Sequence, residues 1–267
     1  MLTDAQVSEA AEALCQAERT RVQTGLLSQR FPEADMDDAY RIQAALVAQK
    51  LAEPGRHVIG WKIGLTSRAM QQALNITIPD SGVLLDDMDF ADGATIPAGR
   101  FIQPRIEAEI AFLMKAPLQG RVTREQVLAA TEWVAPSLEI LDTRIVRRDE
   151  ATGRARTIVD TIADNAANAG IVLGRARHRP DATDLRRVGA IVSLDGTVEE
   201  TGLGAGVLND PVTGIVWLAE RMGQYGQRIE AGQVILSGSF IRPVECPKGS
   251  VIDADFGPFG RVGCTFA

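Results

Sequence analysis

Helices gathered at the N-terminus and strands after them are the order this sequence predicts, and three observations carry it. Over the first fifty or so residues, apolar side chains recur at helical spacing. From His57 onward the pattern changes to short apolar runs broken by glycine, VIGWKIG being the first. The chain has 267 residues, 45% of them hydrophobic and 24% charged, enough for a sizeable core. The expected division is a helical part over residues 1–55 and a single strand-rich unit over 56–267.

The first helix is expected to start at Thr3, whose hydroxyl can cap it, and to fray near Thr20. Val7, Ala10, Ala11, Leu14 and Cys15 share its apolar face. After a linker, Asp35 or Asp37 opens a second helix with Tyr40, Ala44, Val47 and Leu51 on one stripe, closed by Pro54 and Gly55. Neither helix carries a catalytic-looking group, so packing or contact with a neighbouring subunit is their expected task. In VIGWKIGLTS, Lys62 stands in an apolar strand between Gly60 and Gly64. Glycines there mark a close backbone approach, as to a ligand, although a lysine can also snorkel from a strand to water. Ser67 to Leu74 reads as a short helix, and PDSGVLLDDM as a turn-rich segment in which Asp86 and Asp87 are turn or capping residues.

RIEAEIAF, Arg105 to Phe112, is the most informative run. Alternation along a strand puts Arg105, Glu107 and Glu109 on one face and Ile106, Ala108 and Ile110 on the other. The β-carbons of the two glutamates then lie roughly 6.6 Å apart. Two carboxylates about 4 Å apart repel by roughly 4 kcal/mol at an effective dielectric near 20, so a half-buried pair requires a cation, a proton or an arginine. A solvated edge strand with Arg105 as partner satisfies the same pattern. PSLEILDTR, Pro136 to Arg144, supplies another glutamate, Glu139, alone among apolar neighbours. Three glutamates without a nearby Cys or His form an all-oxygen set suited to Mg²⁺ or Mn²⁺ rather than zinc. Spacing does not by itself bring Glu139 to the first pair.

Downstream, Thr123 and Gln126 form a capping box for a helix ending near Trp133, which leads into the Glu139 strand. TRIVRRDEATGRARTIVDT reads as a solvated, arginine-rich loop. DTIADNAANAG is rich in small residues around Asp160, Asp164, Asn165 and Asn168, which predicts tight packing about polar groups. A hairpin turning at Asp195-Gly196, a helix from Pro211 through Met222, and a strand-turn-strand tail complete the chain. The glycines of GLGAG lack the spacing of a dinucleotide fingerprint.

The net charge of −7 is spread along the sequence, which excludes the basic footprint of a nucleic-acid binder. No apolar run approaches the roughly 20 residues needed to span a bilayer, and no basic region precedes an apolar core at the N-terminus, so a cytoplasmic protein without a membrane partner is expected. Cys15, Cys246 and Cys264 are odd in number and far apart, which predicts buried free thiols.

GWKIGLTSRAM, PDSGVLLDDM, RIEAEIAF, PSLEILDTR, DTIADNAANAG and VILSGSF occur in that order over nearly the whole chain. Together they resemble the 2-keto-4-pentenoate hydratase family within the fumarylacetoacetate hydrolase superfamily. The resemblance implies an α+β protein, a mixed β-barrel-like roll with an N-terminal helical part, assembled as a homo-oligomer. It implies a Mg²⁺ or Mn²⁺ ion held by Glu107, Glu109 and Glu139, with Lys62 matching the active-site lysine. Asp80 is expected to orient water or substrate, and the backbone of the SGSF turn, Ser237 to Phe240 with Ser239 among them, to hold the carboxylate of a 2-oxo acid. One departure is Ser81, where relatives carry an aromatic residue.

The implied chemistry is hydration of a 2-oxo or 2-hydroxy-dienoic acid in aromatic catabolism. Lys62 acts on protons or on the enolate, its pKa lowered by burial and a neighbouring cation. The alternatives are a sister decarboxylase, disfavoured by the NAANAG ending, and a non-catalytic metal-binding module. The length of the arginine-rich segment resembles that of the member acting on a seven-carbon diacid, so one arginine, with Arg144 as the first candidate, is expected to meet the distal carboxylate.

Overall fold

The computed structural model describes residues 1–73 and 78–267. Its helical part comprises α1 (Asp4–Thr20), α2 (Leu27–Arg30) and α3 (Met36–Leu51). The capping at the start of α1 is the one expected: the Thr3 hydroxyl accepts from Gln6 N–H, and the Gln6 side chain reaches back to Thr3 N–H. Asp35 caps α3, accepting from Asp38 N–H. α2 occupies part of the expected linker. The core-facing stripe of α3 is Ala39, Ile42, Gln43, Leu46 and Val47; Ala44 is exposed. Tyr40, Ala44 and Leu51 line an open groove of about 940 Å³, and Val47 reaches both sides. α3 has apolar residues on two sides, and periodicity alone did not identify which one packs inward.

The strand-rich part then runs β1 (Val58–Gly64), α4 (Arg68–Ala73), β2 (Asp80–Leu85), β3 (Asp89–Ala91), β4 (Thr95–Ile96), β5 (Arg105–Met114), α5 (Arg124–Ala130) and β6 (Thr131–Leu141). It continues with α6 (Ile158–Ala163), β7 (Asn168–Leu173), β8 (Gly189–Leu194), β9 (Thr197–Leu203), α7 (Pro211–Gln224), β10 (Val234–Leu236), β11 (Val244–Glu245), β12 (Val251–Asp255) and β13 (Arg261–Phe266). The end of the expected 67–74 helix lies outside the described residues. Trp133 belongs to β6 rather than to the helix before it, because the backbone of Thr131, Trp133 and Val134 pairs with β5.

Two sheets form. One has the strand order β2-β1-β10-β5-β6-β7-β3, with β11 added to β5, and mixes parallel and antiparallel pairs. The other has the order β4-β13-β12-β8-β9, and its hairpin turns at Asp195-Gly196 with both residues at positive φ. The large sheet curls until β2 approaches β7. Asn165 bridges this gap, its Oδ1 accepting from Val83 N–H at 2.8 Å and its Nδ2 donating to Val83 O at 2.9 Å. The main core fills the space between the sheets and α7, with Ile106, Ile110, Phe112, Leu138 and Ile140 from the large sheet, Val192, Ile252 and Val262 from the small one, and Ile215 and Leu218 from α7.

A smaller core joins α1–α3 to Ile145, Ile162 and Ala163, so the helical part shares its interior with the segment after β6. Cys15, Cys246 and Cys264 are buried and free. Among the described residues, no helix is long and apolar enough to cross a membrane.

Candidate metal centre

β5 and β6 pair antiparallel with Glu107 directly opposite Glu139 and Glu109 opposite Ser137. Residues opposite each other in a ladder share a face, so this register brings Glu139 to the Glu107–Glu109 pair. One carboxylate oxygen from each of the three lies within 4.8 Å of the others. The same alternation, carried across β10, β1 and β2, puts Lys62 and Asp80 on that inner face. Leu84, Ala111, Ile171 and Leu236 form an apolar cluster on the same face.

Glu109 and Glu139 are fully buried and Glu107 partly so. Glu109 Oε2 accepts from Gly238 N–H at 2.7 Å. Lys62 Nζ stands 3.3 Å from Glu139 Oε1. Glu109 Oε1, both oxygens of Glu139 and Asp80 Oδ1 have no hydrogen-bond partner among the described residues. Buried carboxylate oxygens without partners are costly, and three converging ones suit a hard divalent cation. The residues present therefore fit the ion.

Titration follows this crowding. Burial, then repulsion from Glu139, pushes Glu107 up to about 8. Burial, then Glu139 and Glu107, raises Glu109 well above the usual carboxylate range. Glu139 is raised by burial against the opposing pull of Lys62. Asp80 is likewise raised by burial, with Lys62 and Arg156 acting the other way. The lowering expected for Lys62 invoked a neighbouring cation, and the surrounding carboxylates by themselves act the other way. Burial works against its charge, but Glu139, Asp80, Glu107 and Glu109 outweigh it and hold the ammonium above the ordinary lysine value. It does not snorkel, being 3% exposed. The close approach that Gly64 permits is to Asp80 and Lys62: a Cβ at Gly64 would overlap Asp80 Oδ1 and come 3.0 Å from Lys62 Nζ.

The expectation for Ser239 and Phe240 concerns the backbone of their turn, and both side chains are engaged elsewhere. The Ser239 hydroxyl is taken up within its own turn, donating to Ile241 O and accepting from Ile241 N–H. Phe240 packs into the main core edge-to-face on Phe256. The turn meets the site through Gly238 instead. Ser237, Gly238 and Phe240 donate their N–H groups to Ile110 O, Glu109 and Ala108 O, which leaves the Ser239 N–H open among the described residues.

Arg144, the first candidate for the distal carboxylate, has its guanidinium engaged within the fold. It is buried, its Nε paired with Asp164 Oδ1, Nη1 donating to Asn168 O at 3.1 Å and Nη2 to Asp164 O at 2.6 Å. It clamps the ends of a turn in which Asn165, Ala166 and Ala167 all have positive φ. That turn carries the Asn165 bridge to Val83, and Asn165 O packs against Gly82, the neighbour of Lys62 across the ladder. The small residues of NAANAG signalled tight packing, but not a left-handed turn or its arginine.

No family model matches the chain. Among curated proteins, it is 48% identical to 2-oxo-hept-4-ene-1,7-dioate hydratase of Escherichia coli over 96% of both chains. It is 39% identical to 2-keto-4-pentenoate hydratase of Paraburkholderia xenovorans over 99% of this chain and 96% of the relative. The 4-oxalocrotonate decarboxylase from Pseudomonas putida G7, complexed with magnesium and adipate, superposes with a TM-score of 0.93 at 30% identity, covering 100% of this chain and 99% of the other. A fumarylacetoacetate hydrolase from Exiguobacterium antarcticum shares the fold alone, with a TM-score of 0.57 at 16% identity over 78% of this chain and 74% of that one. With helices at the N-terminus, a curled mixed sheet of the fumarylacetoacetate hydrolase type and this degree of identity, the chain belongs to the 2-keto-4-pentenoate hydratase family of hydro-lyases.

Proposed function

We propose that the chain adds water to a 2-hydroxy-dienoic acid or its 2-oxo tautomer in aromatic catabolism. The best-supported substrate is 2-oxohept-4-ene-1,7-dioate, hydrated to 4-hydroxy-2-oxoheptane-1,7-dioate. The observation that carries this reading is the convergence of Glu107, Glu109 and Glu139 beside a buried Lys62 on one sheet face. The two hydratases at 48% and 39% identity support the same reaction.

Glu107, Glu109 and Glu139 would hold Mg²⁺ or Mn²⁺. Bound there, the ion supplies Lewis acidity toward the carboxylate and keto oxygen of a 2-oxo acid. The other tasks fall to the chain itself. Hydration moves the proton of the dienol hydroxyl to C5, adds the hydroxyl of a water molecule at C4 and passes that water's remaining proton to C3. Lys62, protonated and within reach of the carboxylate cluster, is the group placed to stabilise negative charge on the substrate and to donate a proton. Asp80, kept toward its neutral form by burial, is placed to relay a proton or orient water. The open N–H of Ser239 is the remaining donor of its turn for a substrate carboxylate. A cytoplasmic homo-oligomer accords with the same family resemblance.

A decarboxylase acting on a related 2-oxo acid is the second reading, favoured by the superposition at a TM-score of 0.93. Incubation with 2-hydroxyhepta-2,4-dienedioate, with and without Mg²⁺, separates the two. The expected result is a hydroxylated product that requires the metal; release of CO₂ would replace the hydratase reading by the decarboxylase.

A further inference from the structure

The geometry points to Arg156 as the residue that reads the second carboxylate of a dicarboxylic substrate, an inference that rests on the hydratase reading and adds to it. Five arginines lie between β6 and α6. Arg144 is committed to Asp164 and Asn168. Arg147 pairs with Glu245 at 2.8 Å and donates to Gln103 O. Arg148 donates to Gly153 O, and Arg154 is exposed.

Arg156 differs from these. Its side chain is only 18% exposed, yet it makes one hydrogen bond, from Nη1 to Thr143 Oγ1 at 2.6 Å. Its Nε and Nη2 have no partner among the described residues. The carboxylate nearest to it, Asp164 Oδ2, is 4.0 Å away. Asp164 already accepts from the Arg144 Nε and N–H on its two oxygens, so one negative charge faces two guanidinium groups. A largely buried guanidinium with open donors and no counter-ion of its own is an anion site, and its planar fork matches a carboxylate.

Its place fits the far end of a substrate held at the glutamates. Thr143, which Arg156 touches, continues the chain that carries Glu139 beyond the end of β6. Arg156 also directly precedes Thr157, the cap of α6, and α6 leads into the turn that packs on Gly82 beside Asp80. The positive charge of Arg156 is felt at Asp80, on the inner face of the site.

The test measures binding and turnover on the full chain with Mg²⁺ present, in wild type, Arg156→Gln and Arg156→Lys. Gln removes the charge while keeping a donor for Thr143. Calorimetry with 2-oxoheptanedioate and 2-oxoheptanoate is expected to show a preference of about ten- to a hundredfold for the diacid in wild type, most of it lost in Arg156→Gln and partly restored in Arg156→Lys. In turnover, the loss in kcat/KM for the dienedioate is expected to exceed the loss for 2-hydroxypenta-2,4-dienoate by the same factor. An undiminished preference in Arg156→Gln, or equal affinity for the two acids in wild type, overturns the assignment. A wild type that hydrates both dienoates equally overturns it while leaving the hydratase reading in place, and one that hydrates neither overturns both.

Discussion

Lys62 and Glu139 illustrate how one contact shapes the site. The ammonium 3.3 Å from Glu139 Oε1 offsets part of the negative charge of the cluster, so it competes with a cation for the same oxygens. Lys62→Ala is therefore expected to lose at least a hundredfold in kcat while Mg²⁺ affinity, followed by calorimetry, holds or tightens. Unchanged turnover would reduce Lys62 to a structural residue. Glu139→Gln should lose Mg²⁺ affinity and activity together with the fold intact by circular dichroism, and full activity of that variant in EDTA would remove the metal assignment. Gly64 makes a related point: a Cβ there would displace Asp80, so Gly64→Ala should impair turnover more than metal binding.

The decisive element is the turn from Asp164 to Asn168. Three successive non-glycine residues at positive φ cost roughly 1 to 2 kcal/mol each, and the surrounding contacts must hold them there. Arg144 does so from one side and the Asn165 bridge to Val83 from the other. Ala166→Gly, which relieves the strain at one position, is expected to stabilise the protein by about 1 kcal/mol in chemical denaturation. Arg144→Ala leaves Asp164 buried beside Arg156 alone and should cost about 3 to 5 kcal/mol. If Ala166→Gly were destabilising, the turn would not be the strained element described here.

Across the whole molecule, the raised carboxyls couple metal, proton and stability. Glu107 holds its proton up to about pH 8 in the fold, against a carboxylate's usual value when unfolded, and Glu109 and Glu139 shift in the same direction. The folded state then binds more protons than the unfolded one between those values. Stability of the metal-free protein must fall as pH rises from about 4.5 through about 8. Mg²⁺ binds the deprotonated cluster, so its stabilising effect should grow over the same range, reaching about 2.7 kcal/mol at a hundredfold excess over Kd. Thermal melts at pH 6 and pH 9, with EDTA or Mg²⁺, check both signs. A metal-free protein more stable at pH 9 than at pH 6 would contradict the buried cluster.

Local chemistry made much of this legible from residues alone. The Thr3 and Thr123 caps, the Asp195-Gly196 hairpin, the Pro211 start of α7 and the shared face of Glu107 and Glu109 each depend on neighbours a few positions apart, where spacing and geometry are nearly the same statement. What depends on distant pairing was not legible in that way. The β5–β6 register sets Glu139 opposite Glu107, and the pairings of β10, β1 and β2 put Lys62 and Asp80 on the same face. The choice between a structural and a substrate-facing arginine follows the same rule. Arg144 and Arg156 stand in one polar segment with similar local sequence, and only the position of Asp164, brought back by α6, pairs the first fully and leaves the second with open donors. A side chain's partner is determined by which residues the packed core places within bonding distance, and for groups this far apart in the chain that is a property of the tertiary structure.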